Sequence, residues 1–312
     1  MRRIVLAFLC TAALVAQKQP FTVDTMMKLA RISEPVLSPD GTQVAFTVQK
    51  VDLDKNAKPS QVYVAPVQGG APRQLTIEGS ANERPRWSPD SRQIFFVSNR
   101  SGSSQVWVMN ADGSGAHQVT KFAAEADGIL VSPDGKKIVF TRQVNGALDI
   151  YIMNADGTGE RKLTDTSDWQ PGAPFFLPDS KTITMRAWSR AIYGTRRPTP
   201  MTVFTINTET GERIQRTFDD WMNWAPYPAP DGRHYVFVRP LLDNPSNYQI
   251  FLGDLEGGAP VRLTFHEGFD GFPSISPDGT KMLFARSQGP GFSGGLYTYV
   301  MDISSLNVGP KQ

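Results

Sequence analysis

The chain has 312 residues, with 32 Lys and Arg against 30 Asp and Glu, three His and a single Cys. A formal net charge of +2 lacks the basic footprint of a nucleic-acid binder. One cysteine excludes an internal disulfide framework and a thiolate metal site.

The N-terminus carries Arg2-Arg3, an apolar run from Ile4 to Ala16, then Gln17-Lys18-Gln19-Pro20. A basic start, a short apolar run and a small residue at its end read as a secretory leader over 1–16. The run is too short to span a bilayer comfortably. Cys10 is preceded by the bulky Phe8-Leu9, which argues against a lipoprotein signal. Cleavage after Ala16 removes Cys10 and two of the 32 basic residues, leaving 30 against 30 acidic ones. The mature chain is therefore expected to be periplasmic or secreted, disulfide-free, monomeric and without a membrane span. Residues 17–33 form a separate N-terminal segment. Val23, Met26, Met27 and Ala30 recur there at helical spacing, although the segment is also a candidate closing strand.

From 34 to 308 one phrase recurs: SPDG at 38–41, SPDS at 88–91, SPDG at 132–135, LPDS at 177–180, APDG at 229–232 and SPDG at 276–279. The aspartates Asp40, Asp90, Asp134, Asp179, Asp231 and Asp278 are 50, 44, 45, 52 and 47 residues apart. Such a period with turn chemistry in each unit predicts an all-β, six-bladed β-propeller with four-stranded antiparallel blades. Pro presets φ, Asp bonds its own backbone, and Gly or Ser tolerates the turn.

In five of the six units a proline stands five positions before the aspartate, and Pro35, Pro85, Pro174, Pro226 and Pro273 are read as the first residues of strands. Second strands follow the turn (Val44–Phe46, Ile94–Phe96, Ile138–Phe140, Ile183–Met185, Tyr235–Phe237, Met282–Phe284). Third strands lie at Val62–Val64, Val106–Met109, Ile150–Met153, Val203–Ile206, Ile250–Leu252 and Leu296–Val300. Two of these run into NADGSG at 110–115 and NADGTG at 154–159, strong hairpin signals. Fourth strands close on Leu75-Thr76, Val119-Thr120, Leu163-Thr164, Leu263-Thr264 and, more weakly, Arg216-Thr217. The sixth unit has none. Residues 20–33 and Leu306–Val308 are the candidates to complete it.

The units RWSPDS…QVWVMNADGSGAHQVT and SPDG…DIYIMNADGTGERKLT resemble the WD40-like repeats of TolB, the periplasmic component of the Tol–Pal system. The first unit, FTVDTMMKLARISEPVLSPDGTQVAFTVQKVDLDKN followed by VYVAPVQGGAPRQLT, is similar to the start of the propeller in prolyl-oligopeptidase-family exopeptidases. Both resemblances imply a propeller. The first implies protein partners in the periplasm, the second peptide recognition beside a hydrolase domain. Neither the α/β domain that precedes TolB propellers nor the hydrolase domain that follows peptidase propellers is legible here.

Gly291-Phe292-Ser293-Gly294-Gly295 satisfies G-x-S-x-G, but no histidine follows Ser293, so a glycine loop is expected. Propeller ligands meet loops joining one blade to the next, and here these are acidic and aromatic. They contain Glu78 and Glu83; Glu125 and Asp127; Asp165, Asp168 and Trp169; Asp219, Asp220, Trp221 and Trp224; then His266, Glu267 and Asp270. Tryptophans would supply an anchor or a sugar-stacking face, and carboxylates would take a cation or a basic peptide end. The excursion Arg186–Pro200 adds Arg186, Trp188, Arg190, Tyr193, Arg196 and Arg197, a grip for an acidic partner. The binding residues assigned are Asp168, Trp169, Trp188, Asp219, Asp220, Trp221, Trp224, His266 and Asp270. No catalytic residue, metal ligand or cofactor is assigned. The function expected is an exported, non-catalytic propeller that binds protein or peptide partners. The alternatives are a lactonase-like enzyme holding calcium or another divalent cation in the channel, and a recognition propeller of a peptidase lacking its hydrolase domain.

Overall fold

The computed structural model describes residues 21–121, 126–144, 146–164, 168–195 and 197–311, without the side chains of Ala126 and Asp127. The expected leader lies outside the described residues. A short helix, α1 (Val23–Met27), is capped by the Thr22 hydroxyl and precedes six antiparallel sheets in chain order.

Blade 1 comprises β1 (Arg31–Leu37), β2 (Gln43–Gln49), β3 (Ser60–Pro66) and β4 (Arg73–Gln74); blade 2 comprises β5 (Asn82–Trp87), β6 (Gln93–Ser98), β7 (Gln105–Asn110) and β8 (His117–Gln118). Blade 3 is built from β9 (Ala126–Val131), β10 (Lys137–Val144), β11 (Ala147–Asn154) and β12 (Arg161–Lys162). Blade 4 follows with β13 (Trp169–Phe176), β14 (Thr182–Ser189), β15 (Thr202–Asn207) and β16 (Arg213–Gln215). Blade 5 has β17 (Trp224–Pro228), β18 (His234–Pro240), β19 (Tyr248–Asp254) and β20 (Val261–Arg262). Among the described residues blade 6 has three strands, β21 (Asp270–Ile275), β22 (Lys281–Ser287) and β23 (Leu296–Asp302). First strands contact first strands around the ring, so they line its axis.

The repeated phrase makes the turn between the first and second strands. Ser38 donates to Asp40 at 2.6 Å, and the same carboxylate oxygen accepts the Thr42 N–H at 3.0 Å. Ser88–Asp90, Ser132–Asp134 and Ser276–Asp278 repeat the hydroxyl contact at 2.5–2.6 Å. These serines, followed by backbone donors, hold Asp40, Asp90 and Asp134 below the ordinary value of 3.8 and Asp278 at about 2. Because the folded values are depressed, the stabilisation is complete above pH 3.8 and is lost as pH falls through the folded values. Urea midpoints should accordingly decline between about pH 4 and pH 2. A midpoint that stays flat over that range would contradict the assignment.

The prolines do not start the strands. Strands begin two to five residues earlier, at Arg31, Asn82, Trp169, Trp224 and Asp270, and each proline sits at an internal register shift. The residue before it is left-handed: Glu34, Arg84, Ala173, Ala225 and Phe272 have φ of 50–56°. In the third blade Gly128 takes the same role at φ 61°. A bulge leaves a gap in the ladder, so the missing proline N–H costs no bond there.

Fourth strands lie one or two residues ahead of the Leu-Thr pairs, and the threonines seal them. The hydroxyls of Thr76, Thr120, Thr164, Thr217 and Thr264 accept the N–H of Val62, Val106, Ile150, Val203 and Ile250 at 2.8–2.9 Å. Arginines then clasp the next blade: Arg73 reaches the Asp112 carbonyl at 2.5 Å, Arg161 that of Thr208, and Arg216 that of Leu255.

Apolar clusters fill the five interfaces from blades 1/2 to 5/6. Among the described residues no cluster joins blade 6 to blade 1, so the ring has a seam. Neither expected closing segment fills it. Residues 21–33 form α1 and the innermost strand of blade 1, while Val308 is buried in the 5/6 cluster after a single 3-10 turn over Ser304–Leu306. The tail is held there because the Asp231 N–H donates to the Val308 carbonyl at 3.1 Å. It also passes so close to the sixth turn that a Cβ on Gly279 would stand 2.4 Å from the Gly309 backbone.

Candidate functional site

Blade 4 carries the long excursion between β14 and β15. Met185 and Ala187 of β14 belong to the 3/4 cluster, so the alternating Arg186 and Trp188 face blade 5. The Trp188 indole lies between the Tyr193 ring, stacked at 5.6 Å, and the Arg186 guanidinium at 4.6 Å. Burial pushes Arg186 down to about 10, and its Nε and Nη1 have no hydrogen-bond partner among the described residues. The Arg190 Nε is likewise buried and unpartnered. Gly172 makes room: a Cβ there would be 3.2 Å from the Arg186 guanidinium. A desolvated arginine with no ion pair among the described residues is suited to a carboxylate or other anion.

The connection from blade 4 to blade 5 is stitched to the foot of this excursion. Met201 and Met222 form a parallel bridge, and the Met201 N–H donates to the Trp221 carbonyl at 3.0 Å. Asn223 is the hub: fully buried, it donates to the Met201 carbonyl at 3.0 Å and to Asp219 at 2.8 Å, and accepts from Arg239 at 2.8 Å. Above it opens a cleft of 590 Å³ between the excursion and the 241–247 loop, with Tyr193, Arg197, Met201, Met222, Ser246 and Tyr248 in its lining. Tyr193 is 62% exposed at its mouth.

The other assigned residues are spread along the same rim. Half-buried Trp169 packs on the 3/4 cluster, edge-on to Phe204 at 5.4 Å. Trp224 packs on the 5/6 cluster, edge-on to Phe272 at 5.0 Å, within an aromatic group that includes Phe269 and Phe292. The two therefore cap different interfaces, while Trp221 and Trp188 flank the cleft region between them. Asp168 and Asp220 are exposed. Asp219 pairs with Arg239 at 2.6 Å. Asp270 is fully buried and bound by two nitrogens of Arg286 at 2.7 Å. It occupies the place of Asn82 and Asn223, three residues before the bulge proline and bonded to an arginine, which lies in the second strand for Asn223 and Asp270 and just after it for Asn82. NERP at 82–85, NWAP at 223–226 and DGFP at 270–273 show that pattern in the sequence, which sequence reasoning missed by treating Asp270 as a loop acid.

His266 is half-buried, with its Nε2 3.0 Å from the Ser287 carbonyl, and Glu267 is exposed. Glu78 pairs with Arg100 at 3.7 Å, and Glu83 accepts the Ser60 hydroxyl at 2.6 Å. Glu125, Asp165 and Arg196 lie outside the described residues, as does the Asp127 side chain. Ser293 donates to the Pro290 carbonyl at 2.7 Å in an exposed loop. Among the described residues no three His, Cys, Asp or Glu converge as metal ligands, and no helix is long and apolar enough to cross a membrane.

Six antiparallel blades around an axis, with aromatic loops gathered on one rim, define a β-propeller. Within that class the chain belongs to the TolB beta propeller domain family, whose model matches residues 24–185. Dipeptidyl-peptidase 5 of Porphyromonas gingivalis is 33% identical over 82 residues, 26% of this chain but only 12% of that protein. A putative TolB from Agrobacterium tumefaciens superposes with a TM-score of 0.57 at 22% identity, covering 88% of this chain and 91% of the other. An acylaminoacyl peptidase from Pyrococcus horikoshii gives 0.68 at 16% identity, covering 89% of this chain and 45% of the other. At these identities the structural likeness is one of fold.

Proposed function

We propose that the protein is an exported, non-catalytic propeller that binds a protein or peptide partner through the rim of blades 4 and 5. The observation that carries this reading is the cleft beside the excursion, where exposed Tyr193 and Arg197 stand over a methionine floor. Aromatic anchors with adaptable methionines suit a peptide, and arginines suit its carboxylates. The apolar leader and the TolB-like repeats support a periplasmic setting. Capture of partners from a periplasmic extract on the full chain, followed by titration, tests the proposal. Tyr193→Ala and Trp221→Ala should each weaken binding by about 1–3 kcal/mol with an unchanged melting temperature. Binding as tight as the parent in both variants would end it.

The partial match to a dipeptidyl-peptidase and the fold shared with an acylaminoacyl peptidase favour one further reading, in which the same rim presents peptides to a hydrolase. A hydrolase domain encoded beside or within the same reading frame would favour this second reading.

A further inference from the structure

We propose that the outer edge of blade 6 is an acceptor for an extended segment of a partner protein that reads as a basic residue or glutamine, then leucine or valine, then threonine. The template is repeated five times in this chain. In blades 1–5 one residue of the third strand uses both outward backbone groups on the fourth. Its C=O accepts the N–H of Leu75, Val119, Leu163, Arg216 or Leu263, each at 2.8 Å. Its N–H donates to the following threonine hydroxyl at 2.8–2.9 Å. In blade 6 that position is Thr298, because Phe284 faces Tyr299 as Phe46 faces Tyr63. By the alternation of an antiparallel ladder its N–H and C=O point away from β22, and among the described residues no strand pairs with that side of β23.

The edge is otherwise unguarded. Seven consecutive pairs from Lys281–Asp302 to Ser287–Leu296 run without a bulge, and LYTYVMD contains neither lysine nor proline. Edges of this kind associate unless they are blocked. Val300 is 63% exposed, whereas its counterparts Val64 and Val108 are each at 3%. The chemistry of the occupant follows from four of the five in-chain copies, RQLT (73–76), HQVT (117–120), RKLT (161–164) and VRLT (261–264), the fifth, IQRT (214–217), carrying arginine in the leucine place. A second copy has no such segment to lend, since all five are already paired. The described ends of the chain are committed as well, Thr22 to capping α1 and Val308 to the 5/6 core.

The test uses the full chain and a fluorescent peptide copying residues 72–78, PRQLTIE. Anisotropy should show saturable binding. A control peptide with proline in place of the leucine loses the N–H for the Thr298 carbonyl and should bind at least about tenfold more weakly. Thr298→Pro in the chain should weaken binding similarly, since proline is tolerated on an edge strand. Hydrogen exchange at the Thr298 amide should be fast in the chain alone and slow with peptide, and Tyr193→Ala should change neither readout. Absent binding, equal binding of the control, or a Thr298 amide protected without peptide would overturn the proposal. The last result would mean that residues 1–20 or a second copy already fill the edge.

Discussion

Replacing Asp270 with alanine should lower the unfolding free energy by about 3 kcal/mol, because it leaves the Arg286 guanidinium in a half-buried site without its charge partner. The carboxylate is fully buried and takes both hydrogen bonds from Arg286, whose guanidinium also lies over Phe284 and Tyr299 at 5.2 and 5.1 Å. Losing the carboxylate therefore loosens the stack that packs β22 against β23. Asp270→Asn should cost much less, since Asn82 and Asn223 hold arginines at the equivalent places with an amide oxygen. Urea unfolding of the two variants decides the matter. If Asp270→Asn abolished partner binding while Asp270→Ala left stability unchanged, Asp270 would be a contact residue rather than a strut.

The second large effect concerns the seam. Phe140→Ala should cost about 3–5 kcal/mol, the range for a phenylalanine removed from a packed core. Phe140 is fully buried between blades 2 and 3, stacked on Tyr151 at 5.7 Å and packed with Ile129 and Ile138. Val300→Ala, on the face of blade 6 that meets no neighbouring blade among the described residues, should change stability by less than about 0.5 kcal/mol. The contrast is what matters: in a ring closed between blades 6 and 1, Val300 would occupy a core like that of Val64 and Val108. A loss above about 1 kcal/mol for Val300→Ala would show that the face is covered in solution.

The periodicity of the Pro-Asp turns, the β-branched runs behind them and the Asp-Gly hairpins were enough to determine six blades and the strand order within each. Each of those signals is local: a turn needs its own φ values and its own side-chain bonds, and a strand its own alternation. The missing fourth strand of blade 6 was equally visible, as an absent Leu-Thr pair. Tertiary structure alone decided the rest. That the prolines mark bulges inside strands depends on register against β2, β6, β14, β18 and β22, which no single segment encodes. Asp219 and Asp270 read as ligand-ready acids until the ring placed Arg239 and Arg286, 20 and 16 residues away, against them. Trp169 and Trp224 lie in consecutive inter-blade loops in the sequence, yet they pack on different interfaces. The cleft beside Tyr193 exists only because Met201 and Met222, 21 residues apart in sequence, meet where two loops converge. Such contacts follow from the packing of blades around an axis, and a one-dimensional pattern carries the repeat but not the neighbour each face will meet.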